Sequence, residues 1–407
     1  MTRRSLLLSS LALPAAAAAA TGKSYTYAEI DKMIARGDVK GKLGKSDLPT
    51  PALMVDLDAF EANVAKMIGY VKGKGRAIRP HAKTHKCAEI AKYIIRQGAV
   101  GACAAKISEG DALAAEGVTG LLITTAVIGK HKIERAVSLS RRRPETIFVV
   151  DSAQNVKDLN DAAAAAKIKM NVAIDLWVSG RTGIPAGEGA VALGEIISKQ
   201  SNLRLQGVQA YAGQASHTKG WENRKKVSIE AMTPAVELRR TLQAKGIPCD
   251  WLSGGSTGTY NIDTEIDGIT EMQPGSFMFM DLDYNRIGSQ SGSEVYNDFK
   301  NSLFVAATVV SKPKDDMAIV DAGLKAFSTD KPYGPQWRGG EALTYAFAGD
   351  EHGRITSPSG KSVQVGDRLE FIIPHCDPSV NLYDRIYAVR GEQVEAVWRV
   401  TARGMSQ

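Results

Sequence analysis

The feature that most constrains this chain is an alternation of short β-rich runs with longer helical patterns, which begins after residue 45 and continues to about residue 285. ALMVDL (52–57) opens it. An amphipathic stretch follows, with Phe60, Val64, Met67, Ile68 and Val71 on one stripe. Eight apolar runs come next: AIRPHAK (77–83), GACAAK (101–106), GLLITTA (120–126), TIFVVD (146–151), MNVAIDLW (170–177), LRLQGVQAY (203–211), DWLSGG (250–255) and GITEMQPG (268–275). Most of the gaps hold helical patterns, such as EIAKYIIRQ (89–97) and PAVELRRTLQAKG (234–246). Parallel strands need long crossovers, and a helix is the usual one. The pattern therefore predicts an α/β chain built on a closed (β/α)8 barrel. A doubly wound sheet is the competitor, but no G-x-G-x-x-G follows the first strand.

Past about residue 286 the texture changes. SLFVAATVVS, DMAIVDAG, RLEFIIPHCD, DRIYAVRG and AVWRVTARG are strand-like and separated by Gly, Asp and Pro turns. The expected organisation is a barrel over 58–285 and a mostly β domain over 286–407, with segment 23–57 pairing in part into that β domain. A chain of 407 residues suits a barrel plus a module. With 44% hydrophobic and 23% charged residues, disordered and polytopic membrane classes are excluded. Cys87, Cys103, Cys249 and Cys376 form no C-x-x-C pair and no disulfide scaffold.

The first 22 residues read as an export signal of the twin-arginine type. Arg3 and Arg4 precede a moderately apolar Leu, Ser and Ala run that ends in small residues. A folded, periplasmic destination is the expectation. The formal net charge is +7, and removing those two arginines leaves +5. That balance suits anionic small molecules and is too diffuse for nucleic acid. No membrane association is expected of the mature chain.

Active sites of such barrels lie at the C-terminal ends of the strands, and polar residues gather there. Lys83 ends the first strand and Lys106 the second; Asp175 and Arg181 flank the fifth; Tyr211 and His217 follow the sixth. Ser253-Gly254-Gly255-Ser256-Thr257 ends the seventh, and Gly275-Ser276 the eighth. A lysine at the inward end of a buried strand is desolvated, which lowers its pKa and suits Schiff-base chemistry. Lys86, just beyond, is expected on the following helix. Glycines allow close backbone approach, and free N–H groups with hydroxyls suit a phosphate. A Schiff-base lysine opposite a phosphate cradle is what pyridoxal phosphate needs. His375 and Asp377, two apart on a strand, are expected to converge while Cys376 faces the other way. An imidazole with a carboxylate suits Mn²⁺, with Mg²⁺, Co²⁺ or Zn²⁺ as other choices.

RPHAKTHK (79–86) resembles the lysine motif of the D-threonine aldolase and D-serine dehydratase family, pyridoxal-phosphate enzymes of the alanine-racemase-like fold. The resemblance recurs at DLWVSGRTG (175–183), GVQAYAGQASH (207–217), SGGSTGTYN (253–261), EMQPGSFMFMD (271–281), VDAGLKAFSTD (320–330), GDEHG (349–353) and PHCDPSVNLYD (374–384). It implies that Lys83 carries the cofactor, that Arg181 contacts the phenolic oxygen of its ring and that Tyr211 lies beside the ring. The backbones of Ser253–Thr257 and Gly275-Ser276 would hold the phosphate. It places His217 near metal and substrate as the candidate base, and His375 and Asp377 on the metal. In the dehydratase branch the second ligand resembles a cysteine two residues after the histidine; here that residue is Asp377, which favours the aldolase branch.

The activity this implies is cleavage of a D-β-hydroxy amino acid, D-threonine giving glycine and acetaldehyde. His217 would remove the hydroxyl proton while the metal lowers its pKa. The alternatives are a 3-hydroxy-D-aspartate aldolase, a D-serine or 3-hydroxyaspartate dehydratase, and a non-catalytic pyridoxal-phosphate-binding protein. A homodimer is the expected assembly.

Overall fold

A computed structural model describes residues 25–407 of the chain; the export signal expected over 1–22 lies outside the described residues. Helix α1 (Tyr27–Arg36) starts at a capping box, in which the Thr26 side chain accepts from the Glu29 N–H and Glu29 reaches back to Thr26. Strand β1 (Ala52–Asp56) leads directly into α2 (Leu57–Gly73), whose first turn is capped by the Asp56 carboxylate.

The eight apolar runs form eight parallel strands: β2 (Ala77–Ile78), β3 (Ala102–Ala104), β4 (Leu121–Ile123), β5 (Ile147–Val150), β6 (Met170–Asp175), β7 (Leu203–Ala210), β8 (Trp251–Gly254) and β9 (Glu271–Met272). The crossovers carry α3 (Ala88–Arg96), α4 (Ile107–Ala115), α5 (Lys130–Arg142), α6 (Ala153–Ala166), α7 (Glu188–Ser198), α8 (Gly213–Ser216), α9 (Trp221–Ala244) and the short α10 (Tyr260–Asp263). The sheet runs β2-β9-β8-β7-β6-β5-β4-β3. Pro80 has no N–H to donate and ends β2 after two residues. The ring is nonetheless completed beyond it, by a parallel bridge between His81 and Cys103 and by the Cys103 N–H on the Pro80 carbonyl at 2.9 Å. Inside, Cys103, Leu122, Ile147, Val149 and Ala173 form an apolar layer. A buried polar network, Arg79–Glu271–Ser253–Gln273, joins the first strand to the last two.

The chain leaves the barrel through α11 (Leu282–Asn285). It then builds β10 (Leu303–Lys314), β11 (Met317–Val320), β12 (Gln336–Trp337), β13 (Thr344–Phe347), β14 (Gly353–Thr356), β15 (Arg368–Ile372), the short helix α12 (Cys376–Val380), β16 (Arg385–Arg390) and β17 (Gln393–Arg399). β1 is inserted into this second sheet, antiparallel to β10 and parallel to β16. Its Leu53 and Val55 enter the main core, while Ala52 and Met54 pack into a smaller core with Ile30 of α1. Both faces of β1 are therefore buried, as its unbroken apolar run requires.

One expectation fails here. His375, Cys376 and Asp377 do not share a strand. β15 stops at Ile372, Pro374 cannot extend the ladder, and His375 is the extended N-cap of α12. Asp377 thus sits in the first turn of a helix, where its negative charge is favoured.

Candidate active site

Lys83 lies in a 3₁₀ turn, Ala82–Thr84, just past the end of the first barrel strand. The ring Nδ1 of His81 accepts the Lys83 N–H at 3.3 Å and shapes the turn. The Lys83 ammonium stands 3.0 Å from Asp377 Oδ1. This overturns the expected depressed amine. The charge of Asp377 holds the Lys83 pKa well above its ordinary value, outweighing desolvation. Burial alone would raise the Asp377 pKa, but the Lys83 ammonium beside it, with His375 adding to the effect, holds it well below the usual carboxylate range. Lys86 is not on a helix. It adopts φ +49° ahead of α3, and its ammonium approaches the buried Glu109 at 3.6 Å. It does not line the site.

Lys83, His81, Arg181, Tyr211 and Gln273 stand between two adjoining cavities of ≈ 200 Å³ each. The first is completed by Lys106, Thr124, Thr125, Asp175 and Gln209. Burial pushes the Asp175 pKa up to about 6, against hydrogen bonds from Gln209 and Thr182. The second cavity is lined by Thr84, His217, Ser256, Gly275, Ser276, Tyr284, Lys331, His375 and Asp377. So the structure gathers Lys83, Arg181, Tyr211, Ser256, Gly275, Ser276, His217, His375 and Asp377 on one space.

The wall formed by Thr84, Gly275 and Ser276 fits an anion. Thr84 Oγ1 is buried with no hydrogen-bond partner. The N–H groups of Gly275 and Ser276 donate to no other group among the described residues. A Cβ on Gly275 would come within 2.6 Å of Thr84 Oγ1, so only glycine allows the two segments this close. A buried unpaired hydroxyl is rare, and together with two backbone N–H groups that have no partner on the same wall it suits phosphate oxygens. The side chains of two other members of the expected backbone cradle are engaged elsewhere. The Ser253 hydroxyl donates to Glu271 inside the barrel at 2.8 Å, and Thr257 Oγ1 accepts the Phe277 N–H at 3.0 Å. Gly254 approaches the Ala210 carbonyl, where a Cβ would stand 2.1 Å from the oxygen. Gly255 takes φ +73° and turns the chain toward Ser256. Of the seventh-strand loop, Ser256 alone reaches the cavity wall.

Across the cavity, His375 Nδ1 lies 2.7 Å from Asp330 Oδ2, which leaves Nε2 facing Asp377 Oδ2 at 3.9 Å. A carboxylate on one ring nitrogen, with the other free beside a second carboxylate, is the arrangement of a metal-binding histidine. Lys83 takes the Oδ1 side of Asp377 and leaves Oδ2 toward His375. The described residues hold no cluster of three or more His, Cys, Asp or Glu fit for an ion, so this pair would leave positions open to water or substrate. Cys376 is buried; its N–H donates to Asp281 at 2.8 Å, and burial pushes its thiol pKa well up. The sequence reading missed Asp281, Asp283 and Asp330. All three stand in or beside the quoted motifs EMQPGSFMFMD and VDAGLKAFSTD.

Barrel, β domain and a lysine turn facing an anion cradle define a class: the alanine-racemase-like pyridoxal-phosphate enzymes. Within it the chain belongs to the D-threonine aldolase and D-serine dehydratase family, a family of lyases. The profile "Alanine racemase, N-terminal domain" matches residues 55–283, and a serine dehydratase domain matches 302–389. The chain is 35% identical to a 3-hydroxy-D-aspartate aldolase of Paracoccus denitrificans (strain Pd 1222), covering 89% of this chain and 94% of that protein. It is 36% identical to a D-threonine aldolase of Arthrobacter sp., over 88% and 93%. The crystal structure of D-threonine aldolase from Filomicrobium marinum superposes with a TM-score of 0.85 at 34% identity, covering 90% of this chain and 98% of that one.

Proposed function

We propose that this protein is a metal-activated, pyridoxal-phosphate-dependent lyase that cleaves D-β-hydroxy amino acids between Cα and Cβ, D-threonine giving glycine and acetaldehyde. The observation that carries this reading is the convergence of Lys83, His217 and the His375–Asp377 pair on one cavity, opposite the Thr84, Gly275 and Ser276 wall. Lys83 would hold the cofactor through its amine. Gly275, Ser276 and Thr84 would hold its phosphate, Arg181 its ring oxygen, and Tyr211 would pack beside the ring. His375 Nε2 and Asp377 Oδ2 would hold the divalent ion, with Mn²⁺ suited to one nitrogen and one oxygen donor. When bound, the cofactor supplies a sink for the electron pair of the breaking bond, and the ion supplies a Lewis acid beside the β-hydroxyl. His217 takes the hydroxyl proton on its free ring nitrogen as the C–O bond becomes a carbonyl. Asp377 keeps the Lys83 amine charged and oriented until the cofactor engages it.

A second substrate is favoured by one observation. The Lys331 ammonium lines the same cavity as His217 and His375; one of its three N–H donors is on Asp283 Oδ2 at 2.7 Å, which leaves two for a ligand. A cation there suits a β-carboxylate, which makes 3-hydroxy-D-aspartate, giving glycine and glyoxylate, the second reading. We further propose export in the folded state, resting on Arg3, Arg4 and the apolar run that follows, and assembly as a homodimer.

The test is a product analysis. Mn²⁺-loaded holoenzyme is incubated with D- and L-threonine, both D-isomers of 3-hydroxyaspartate, and D-serine. Glycine with an aldehyde from D-substrates supports the aldolase. A 2-oxo acid with ammonia would move the assignment to the dehydratase branch.

A further inference from the structure

His217 has two ring nitrogens, and only one that carries a lone pair can take a proton. Which one does is decided outside the ring. His217 Nδ1 stands 3.0 Å from Asp283 Oδ2. Asp283 lies on α11, past the last barrel strand and the Ser276–Met278 turn, and it is held from several directions. Its backbone N–H donates to the Pro374 carbonyl at 3.2 Å. Lys331 Nζ donates to Oδ2 at 2.7 Å, and the Tyr333 hydroxyl donates to Oδ1 at 3.0 Å. The Arg286 guanidinium lies 3.5 Å over the Tyr333 ring and fixes that phenol. On its other face His217 meets the buried Tyr284 ring, centroids 4.5 Å apart. Burial alone would raise the Asp283 pKa, but His217 and Lys331 hold it well below the usual carboxylate range, so it is an anion at neutral pH.

We infer that Asp283 is the positioning carboxylate of the reaction: it holds the proton of neutral His217 on Nδ1 and leaves the Nε2 lone pair free to take the proton of the substrate's β-hydroxyl. The inference rests on the proposed role of His217 as base. It is the logic of a carboxylate–histidine pair in general acid–base catalysis, where the carboxylate sets tautomer and orientation and stabilises the charged ring that forms. The same backbone contact ties His217 to the candidate metal pair. Asp283 N–H bonds the carbonyl of Pro374, the residue before His375, so the carboxylate behind His217 is anchored beside the candidate metal ligand. No other side-chain carboxylate is paired with His217 among the described residues. Without Asp283, neutral imidazole reverts to the Nε2–H form that free histidine prefers, and the nitrogen facing the substrate loses its lone pair.

The experiment uses full-length holoenzyme with ¹⁵N-labelled histidine. The His217 signals are assigned by their loss in His217→Asn, and the tautomer is read from the ring ¹⁵N shifts at neutral pH. The expected result is Nδ1–H in the parent and Nε2–H in Asp283→Ala. Asp283→Asn keeps an acceptor oxygen beside Nδ1 and should retain the parent tautomer. In steady state, Asp283→Ala should lower kcat by about 10²–10³-fold with KM little changed, and Asp283→Asn should recover part of that loss. An Nε2–H His217 in the parent overturns the inference, as does an Asp283→Ala kcat within threefold of the parent. Should Asp283→Ala fail to fold, the parent tautomer and the Asp283→Asn rates decide. The NMR readout needs no turnover. A parent that cleaves no β-hydroxy amino acid would therefore sink the proposed function and still report on Asp283.

Discussion

One buried ion pair ties the first barrel strand to the last, and removing it should loosen the active site from below. β2 and β9 are two residues long each and pair through Ala77–Glu271 and Ile78–Met272. Arg79 crosses this seam. Its Nε and Nη2 donate to the two oxygens of Glu271 at 3.0 and 2.9 Å, and its third nitrogen donates to the Gly120 carbonyl. Both side chains are buried, at 10% and 3% exposure. Breaking such a pair by removing one partner leaves an uncompensated charge, at a cost of about 3–5 kcal/mol. Arg79→Met and Glu271→Met should each lose about that much, or about 6–20 °C in Tm for a barrel-sized domain. The double variant removes both charges. It then lacks only the hydrogen bonds to Gly120 and Ser253, about 1–3 kcal/mol each. It should be no less stable than either single variant, whereas independent effects would sum to about 6–10 kcal/mol. Urea unfolding, followed by circular dichroism and tryptophan fluorescence, measures this cycle. Because Lys83 lies four residues after Arg79 and Gly275 four after Glu271, both single variants should also bind pyridoxal phosphate more weakly. A double variant near the additive sum, or single variants within 1 kcal/mol of the parent, would refute the reasoning.

Other outcomes follow from the site and its surroundings. Lys83→Ala should lose the visible cofactor absorbance and all turnover while staying folded; a borohydride-reducible lysine adduct in that variant would point to Lys106, which lines the adjoining cavity. EDTA should abolish cleavage of D-threonine and Mn²⁺ restore it, and Asp377→Ala should be inactive with cofactor still bound; undiminished activity in EDTA would remove the metal from the mechanism. His85 is buried, and desolvation lowers its pKa to about 3, against about 6.5 in the unfolded chain. Its contribution is therefore complete above about pH 6.5 and declines by about 1.4 kcal/mol per pH unit as the pH falls toward 3; unfolding free energies of His85→Gln between pH 6 and 4 should be flatter by that slope. Changing Arg3 and Arg4 together to Lys should leave precursor in the cytoplasm, and fractionation that finds the double variant in the periplasm would point to another export route.

The barrel was legible because its cause is local. A buried parallel strand is a short apolar run, and its crossover is an amphipathic period; both survive in the order of residues, so eight runs between 77 and 275 became eight strands. The family motifs likewise pointed to Lys83, Arg181, Tyr211, His217, Gly275 and His375, since each is a residue type with special chemistry at a strand end. What depended on neighbours far along the chain was not legible. Alternation placed His375 and Asp377 on a strand, but Pro374 and the N-terminus of α12 bring them together through a helix start. Burial alone predicted a depressed Lys83, yet a carboxylate almost three hundred residues later lies 3.0 Å away and reverses the sign. The Ser253 hydroxyl bonds Glu271 inside the barrel, a pairing that the order of residues does not announce. Asp281, Asp283 and Asp330 carry no mark in the sequence, and only their partners Cys376, His217 and His375 single them out. The sequence by itself determined which segments become strands and helices and which residues can do chemistry, because periodicity and side-chain type are properties of short stretches. Which oxygen faces which nitrogen was decided by the tertiary structure alone, because Coulomb and hydrogen-bond energies depend on distances of a few ångströms that no spacing along the chain encodes.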